Sequence, residues 1–350
     1  TTRLRSMTTR QSARNPEKIE RKIKPNQKQN NVKMKKLYIL VAALAWAATS
    51  FAQQNPVFNQ YIFNPMTVNP AYAGSKQWTN VNTMYATQWV GMDGAPQTLS
   101  VSIEGPVLES MGLGLQYVND RIGAQTQQGL YGNYAYRLKL NEKWRLSLGL
   151  AVGISYFTLD GTQLQSDTDG DPAVPVNKVN TLRFDPKTGI FVYSDRFYAG
   201  LSVTDLLGNL IDSPDGLVNK QERHYYLTAG YVFDIGKDVK IKPSFMIRED
   251  FAALTNIDVS TFALFRETFW IGATYRFGAD IMANPTLDNS LRKRDALVFM
   301  TEWNITKYLM VGYAYTYSLT ALSNFSGHEI TLDYTLSKKV DSRMSTPRFF

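Results

Sequence analysis

Residues 144–157 alternate in polarity with a period of two. Trp144, Leu146, Leu148, Leu150, Val152, Ile154 and Tyr156 share one face of an extended chain, and Arg145, Ser147, Gly149, Ala151, Gly153 and Ser155 share the other. Period two is the signature of a strand, because successive side chains point to opposite sides. At about 3.3 Å per residue, a run of this length crosses a bilayer even when tilted. Strands of soluble sandwiches seldom run so far, or set Gly and Ser so often on the second face. The pattern returns at 307–319, with Leu309, Val311, Tyr313, Tyr315, Tyr317 and Leu319 together. It returns again at 329–337, where Ile330, Leu332, Tyr334 and Leu336 oppose Glu329, Thr331, Asp333 and Thr335.

The whole chain read this way gives about fourteen strands. The spans are 79–91, 96–104, 110–119, 128–140, 143–157, 187–194, 197–204, 224–235, 239–248, 257–266, 268–277, 296–303, 307–319 and 328–337. Pro243 interrupts the ninth, and the sixth alternates weakly. Connections after even strands are brief, and those after odd strands are mostly long, including Thr158–Pro186, Asp205–Arg223 and Gly278–Asp295. Met92–Ala95 is the short exception among the odd ones. Sorting by parity is expected of a barrel with short periplasmic turns and long surface loops. The fold class predicted is all-β: a transmembrane, antiparallel, up-and-down β-barrel of outer-membrane type. Trp78, Trp89, Trp144, Trp270, Trp303 and Tyr308 sit near strand ends, as an interfacial girdle requires.

The formal charge of +8 invites a nucleic-acid reading until its location is considered. Residues 1–36 carry twelve Lys or Arg against Glu17 and Glu20, a surplus of +10, which leaves the remainder at −2. No basic patch is left in the body, so no nucleic-acid partner is expected. The absence of Cys excludes disulfides, thiol nucleophiles and an N-terminal lipoprotein anchor. Met34-Lys35-Lys36, the apolar run from Leu37 to Ala48, and Ser50-Phe51-Ala52 together form signal-peptide anatomy, with cleavage expected between Ala52 and Gln53. The expected organisation is a basic disordered leader or mis-assigned start at 1–33, a signal peptide at 34–52 and a periplasmic Asn-Pro segment at 53–77. A transmembrane barrel at 78–337 and a tail at 338–350 follow. The expected location is the outer membrane, in contact with its lipid.

Enzymatic chemistry finds little support. The only two His, His224 and His328, both open strands, and there is no G-x-S-x-G. An outer-membrane hydrolase would need one of them beside a Ser, and would then lose activity on His328→Ala. Asp167, Asp169 and Asp171 alternate in the longest loop and could begin a Ca²⁺ site, but Pro172 and Lys178 stand where such a loop needs Gly and Glu. A solvated acidic turn fits better. Arg292-Lys293-Arg294 reads as a solvated loop with room for a lipopolysaccharide contact. No metal and no cofactor is expected.

The most unusual stretch runs Gln60-Tyr61-Ile62-Phe63-Asn64-Pro65-Met66-Thr67-Val68-Asn69-Pro70-Ala71-Tyr72-Ala73-Gly74. Its two Asn-Pro pairs rule out a central ladder strand, since Pro has no N–H to donate. Tyr61, Phe63 and Tyr72 demand burial. Two readings stay open: a cap or plug at the barrel foot, or a docking element for a periplasmic partner.

Gln60-Tyr61, Phe63-Asn64-Pro65 and Asn69-Pro70-Ala71-Tyr72-Ala73-Gly74, soon after a signal peptide, resemble the opening motif of the PorP/SprF family of type IX secretion and gliding proteins of Bacteroidota. Gly327-His328-Glu329-Ile330 and the tail Pro347-Arg348-Phe349-Phe350 extend the resemblance. It implies a non-enzymatic barrel that binds or retains large surface adhesins through the cargo's C-terminal domain and associates with periplasmic secretion components. The tail lacks the Cys that such proteins often carry. The alternative is a passive channel or apolar-solute transporter, since fourteen strands leave room for a lumen.

Overall fold

The computed structural model describes residues 58–76, 78–164, 175–208, 222–251, 253–281 and 295–336. The expected signal peptide and its cleavage position, Asp167, Asp169 and Asp171, the Arg292–Arg294 run and the tail lie outside them. Sixteen strand segments follow one another: β1 (Asn80–Thr87), β2 (Gln97–Leu108), β3 (Met111–Ile122), β4 (Gln125–Lys139), β5 (Arg145–Asp160), β6 (Lys178–Phe184), β7 (Lys187–Tyr193), β8 (Phe197–Thr204), β9 (His224–Tyr231), β10 (Phe233–Ile235), β11 (Val239–Glu249), β12 (Thr255–Phe265), β13 (Phe269–Ala279), β14 (Ala296–Asn304), β15 (Leu309–Ser318) and β16 (Ser326–Thr335).

Every pairing is antiparallel, and the sheet closes on itself through β1 with β16. β6 and β7 pair with the upper and lower parts of β5, and β9 and β10 pair with successive parts of β11. Each of these couples is one interrupted strand, so the wall is a closed barrel of fourteen. The register places the gap between β9 and β10 opposite Pro243 and Lys242 of β11. Proline there has no N–H to donate, so the ladder breaks where it has least to lose.

Polarity follows the alternation. On β5, Leu148, Leu150, Val152, Ile154 and Tyr156 are exposed outward, while Ser147, Ala151 and Ser155 are buried inward. On β16, Ile330, Leu332 and Tyr334 face out, and Glu329, Thr331 and Asp333 face in. This apolar-out, polar-in order inverts that of a soluble protein and suits a lipid surround.

Several expectations need correction. The expected Thr158–Pro186 loop contains the end of β5 and all of β6. The expected Asp120–Gln127 loop is a tight turn at Gly123-Ala124, and the supposedly short Met92–Ala95 connection widens to 88–96. The first two share a cause. Alternation is imposed by lipid on one face, and strand ends that stand in water carry polar residues on both faces, as Gln125-Thr126-Gln127-Gln128 does. Trp270 does not join the interfacial girdle: it is buried in the lumen, while its neighbours Phe269 and Ile271 face out. Three apolar residues in a row hid which one points inward. Trp303 and Tyr308 are exposed near a short turn, as a girdle requires.

Candidate functional site in the barrel lumen

The Asn-Pro pairs set the shape of the segment that precedes β1. Proline fixes φ near −65° and suits the first position of a helical turn. Short 3-10 turns accordingly form at Asn59–Ile62, Pro65–Thr67 and Pro70–Tyr72. The two Asn differ. Asn69 caps its turn by accepting the Ala71 N–H at 2.9 Å, and its amide donates to the Ile190 carbonyl at 3.0 Å. Asn64 leaves its turn uncapped and donates to Asn82 Oδ1 at 2.9 Å and Ser102 Oγ at 3.2 Å.

The segment lies inside the barrel. Gln60, Tyr61, Phe63, Asn64, Pro65, Asn69, Pro70, Ala71, Tyr72, Ala73 and Gly74 are all buried. They are anchored to strands around the wall. The Glu329 carboxylate of β16 accepts the backbone N–H groups of Asn59 and Gln60, each at 2.8 Å. The Glu104 carboxylate of β2 accepts the Gly74 N–H at 2.6 Å, and Arg137 of β4 donates to the Gly74 carbonyl. Ser202 of β8 donates to the Val68 carbonyl at 2.6 Å. At the end leading into β1, Lys76 stands 3.7 Å from Asp333.

Apolar packing fills the space between these tethers. Phe63 meets Phe262 edge-on at 5.4 Å, beside Trp270. Lys242 Nζ lies over the same three rings at 4.9–5.7 Å and is fully buried. Tyr72 packs edge-on against Phe191 of β7 at 5.4 Å. Glycine on the wall makes the approach possible. A Cβ on Gly149 of β5 would overlap the Ala71 backbone, and one on Gly112 of β3 would overlap the Ala73 carbonyl.

Sequence reasoning missed the charged residues that receive the segment. Glu104, Glu302, Lys242 and the pair Asp258–Arg276 sit on inward faces, with Arg276 gripping Asp258 through two bonds of 2.7 and 2.8 Å. Charged residues on the polar side of membrane-length strands were the available signal. Beyond the segment, towards the long loops, a cavity of about 60 Å³ is lined by Phe58, Val68, Tyr131, Lys187, Asp205 and Arg248. Lys187 Nζ lies 3.4 Å from the centre of the Tyr131 ring.

His224 is buried with Nδ1 at 2.9 Å from the Glu222 carbonyl and 3.5 Å from Asp205. His328 lies on the outward face, where Tyr313 Oη approaches Nδ1 at 2.8 Å and Ser326 Oγ approaches Nε2 at 3.1 Å. The Ser–His contact went unseen in the sequence, where Ser326 and His328 are two apart on one strand face. Among the described residues no carboxylate is hydrogen-bonded to that ring. Among the described residues, no group of three or more His, Asp or Glu is placed to hold a metal.

The profile of a family described as Type IX secretion system membrane protein PorP/SprF matches residues 50–334. A search of curated proteins gives no match. Among solved structures, the outer membrane protein Omp33 of Acinetobacter baumannii aligns at 11% identity and TM-score 0.42, covering 75% of this chain and 100% of that one. The CymD monoaromatic hydrocarbon channel aligns at 12% identity and TM-score 0.44, covering 79% and 94%. The toluene transporter TbuX of Ralstonia pickettii aligns at 9% identity and TM-score 0.45, covering 78% and 93%.

Proposed function

The chain belongs to the PorP/SprF family of type IX secretion system membrane proteins and is an outer-membrane β-barrel; from that premise we propose that it is a plugged, non-conducting barrel that binds or retains a secreted surface protein. The observation that carries the reading is the lumen. A segment with eleven motif residues buried against the wall, tethered by Glu329, Glu104, Arg137 and Ser202, leaves little free cross-section for solute. A passive channel needs an open path, and the filled lumen argues against that alternative. The barrel's contribution is then its surfaces: lipid-facing strands, short turns on the periplasmic side and long loops outside.

On this reading the partners are a large secreted adhesin, engaged through its C-terminal domain, and periplasmic components of the secretion machinery. No step of bond chemistry is assigned to the barrel. The test is affinity purification of the tagged barrel from native outer membranes, with bound proteins identified by mass spectrometry. Recovery of one large secreted protein or of periplasmic secretion components supports the proposal. A partner-free barrel contradicts it.

A further inference from the structure

The connection from β1 to β2, residues 88–96, is folded back on the rim of the barrel. Its Gln88 N–H donates to the Pro96 carbonyl at 3.0 Å, and its Val90 N–H to the Ser326 carbonyl of β16 at 2.9 Å. On the other flank the Gly123 N–H, in the β3–β4 turn, donates to the Gly94 carbonyl at 2.8 Å. Gly91 and Gly94 hold φ at 99° and 72°, a region glycine enters without a Cβ penalty. Trp89 holds φ at 51° without that freedom, a strain that persists only where surrounding contacts fix the chain. The connection is therefore held in one shape from both sides.

Between it and the wall lies a cleft of about 370 Å³. The wall side is a row in register: Thr87 of β1 stands opposite Gln97 of β2, and Gln97 opposite Arg121 of β3. The adjacent Thr98 and Asp120 share a 2.6 Å bond on the lumenal side, so Gln97 and Arg121 face out. The loop side contributes Gln88 and Asp93. The cleft thus gathers one guanidinium, one carboxylate and two amides on the outer surface of the wall.

Its depth is set by the rows beneath it. One step down the same face stand Tyr85, Leu99 and Asn119, and the next rows bring Val101 and then Ile103 and Leu115. Tyr85, Val101, Ile103 and Leu115 are exposed, as a lipid-facing belt requires. At about 3.4 Å per residue, Arg121 lies roughly 7 Å along the strand from the Tyr85 row. That is the level at which acyl chains give way to headgroups. The connections on this side include the long stretches 161–177 and 205–223, against turns as short as Glu109-Ser110 at the other end. In barrels of this type the long loops mark the outer side.

We propose that the cleft binds the headgroup of an outer-leaflet lipid that carries both phosphate and sugar hydroxyls. Arg121 meets the phosphate, since a guanidinium presents paired N–H groups that match its oxygens. Asp93 accepts from hydroxyls, and Gln88 and Gln97 exchange bonds with them in both directions. A carboxylate in the cleft disfavours bare phosphate and favours a headgroup with hydroxyls to donate. The acyl chains then lie along Tyr85, Val101 and Leu115. Because the connection is preformed, little ordering cost opposes binding. The site needs no secreted partner and is independent of the retention function proposed above.

The probe is lipid A, an acylated and phosphorylated glucosamine disaccharide, titrated into the purified full-length barrel in neutral detergent and counted by native mass spectrometry. Loss of a charge-assisted contact predicts at least about tenfold weaker binding for Arg121→Gln. Asp93→Ala lies on the connection, off the strands, and should weaken binding roughly fivefold. Lys143→Gln makes the same charge change in the exposed β4–β5 turn and should stay within about twofold. Heat-modified gel mobility checks that each barrel is folded. Inorganic phosphate in large excess should fail to displace lipid A, and phosphatidylglycerol should bind at least about tenfold more weakly. Wild-type binding by folded Arg121→Gln and Asp93→Ala variants overturns the site. Displacement by inorganic phosphate makes it a simple anion site and overturns the lipid assignment. Parity with phosphatidylglycerol overturns the sugar contact.

Discussion

The carboxylate of Glu329 accepts the backbone N–H of Gln60 at 2.8 Å, across a separation of 269 residues in sequence. Its second oxygen accepts the Asn59 N–H at the same distance. One wall residue thus satisfies two backbone donors of the lumenal segment, one buried and one part-buried. In Glu329→Ala those donors lose their acceptor, at about 1–3 kcal/mol each. Amide hydrogen exchange at Asn59 and Gln60 should accelerate at least tenfold while exchange in the strands stays slow. Unchanged protection at both amides would contradict the tether.

The approach of the Pro70–Tyr72 turn to the wall depends on the absence of a side chain at Gly149. Gly149→Val should displace the turn or destabilise the barrel by about 1–3 kcal/mol, the usual range for overpacking. Gly132→Ala is the control, since a Cβ there meets only the Val152 carbonyl at 3.8 Å. Denaturant unfolding in detergent should separate the two variants, and equal midpoints would contradict the close approach.

Asp258 and Arg276 face each other in the β12–β13 register and share two hydrogen bonds. Asp258 is fully buried. Removing one partner of such a pair strands the other charge, so Asp258→Ala should cost about 3–5 kcal/mol. The double replacement Asp258→Ala with Arg276→Met should recover much of that loss. A double variant no better than the single would show that the pair is not the source of the effect.

Val152 is half exposed on the outward face of β5, midway along the strand. Val152→Arg places a charge against hydrocarbon and should cost about 2–4 kcal/mol in vesicles. Refolding yield into bilayers should fall accordingly. An unaffected yield would mean that this face does not meet lipid.

Much of the wall was legible because lipid enforces a rule on it. The alternation of Leu148, Leu150, Val152 and Ile154 against Gly149, Ala151 and Gly153 fixed both the strand and its outward face. The rule lapses where lipid is absent. Lys178–Phe184 reads as loop because Lys178 and Asn180 are polar on the face that lower down is apolar, and Asp185-Pro186 breaks the run. The lumen was legible as a motif but not as a place. Asn-Pro pairs exclude a ladder strand, and Tyr61, Phe63 and Tyr72 demand burial, yet nothing local says against which strands. The answer lies with Gly149, Gly112, Glu104 and Glu329, whose roles depend on closure of the barrel around the segment.

The central claim is that residues 58–76 close the lumen, and single-channel recording in planar bilayers tests it most directly. The wild-type barrel should show no steady conductance, and deletion of residues 58–74 should give a stable open pore. A wild-type barrel conducting at the level of the deletion variant would contradict the account and return the chain to the channel reading.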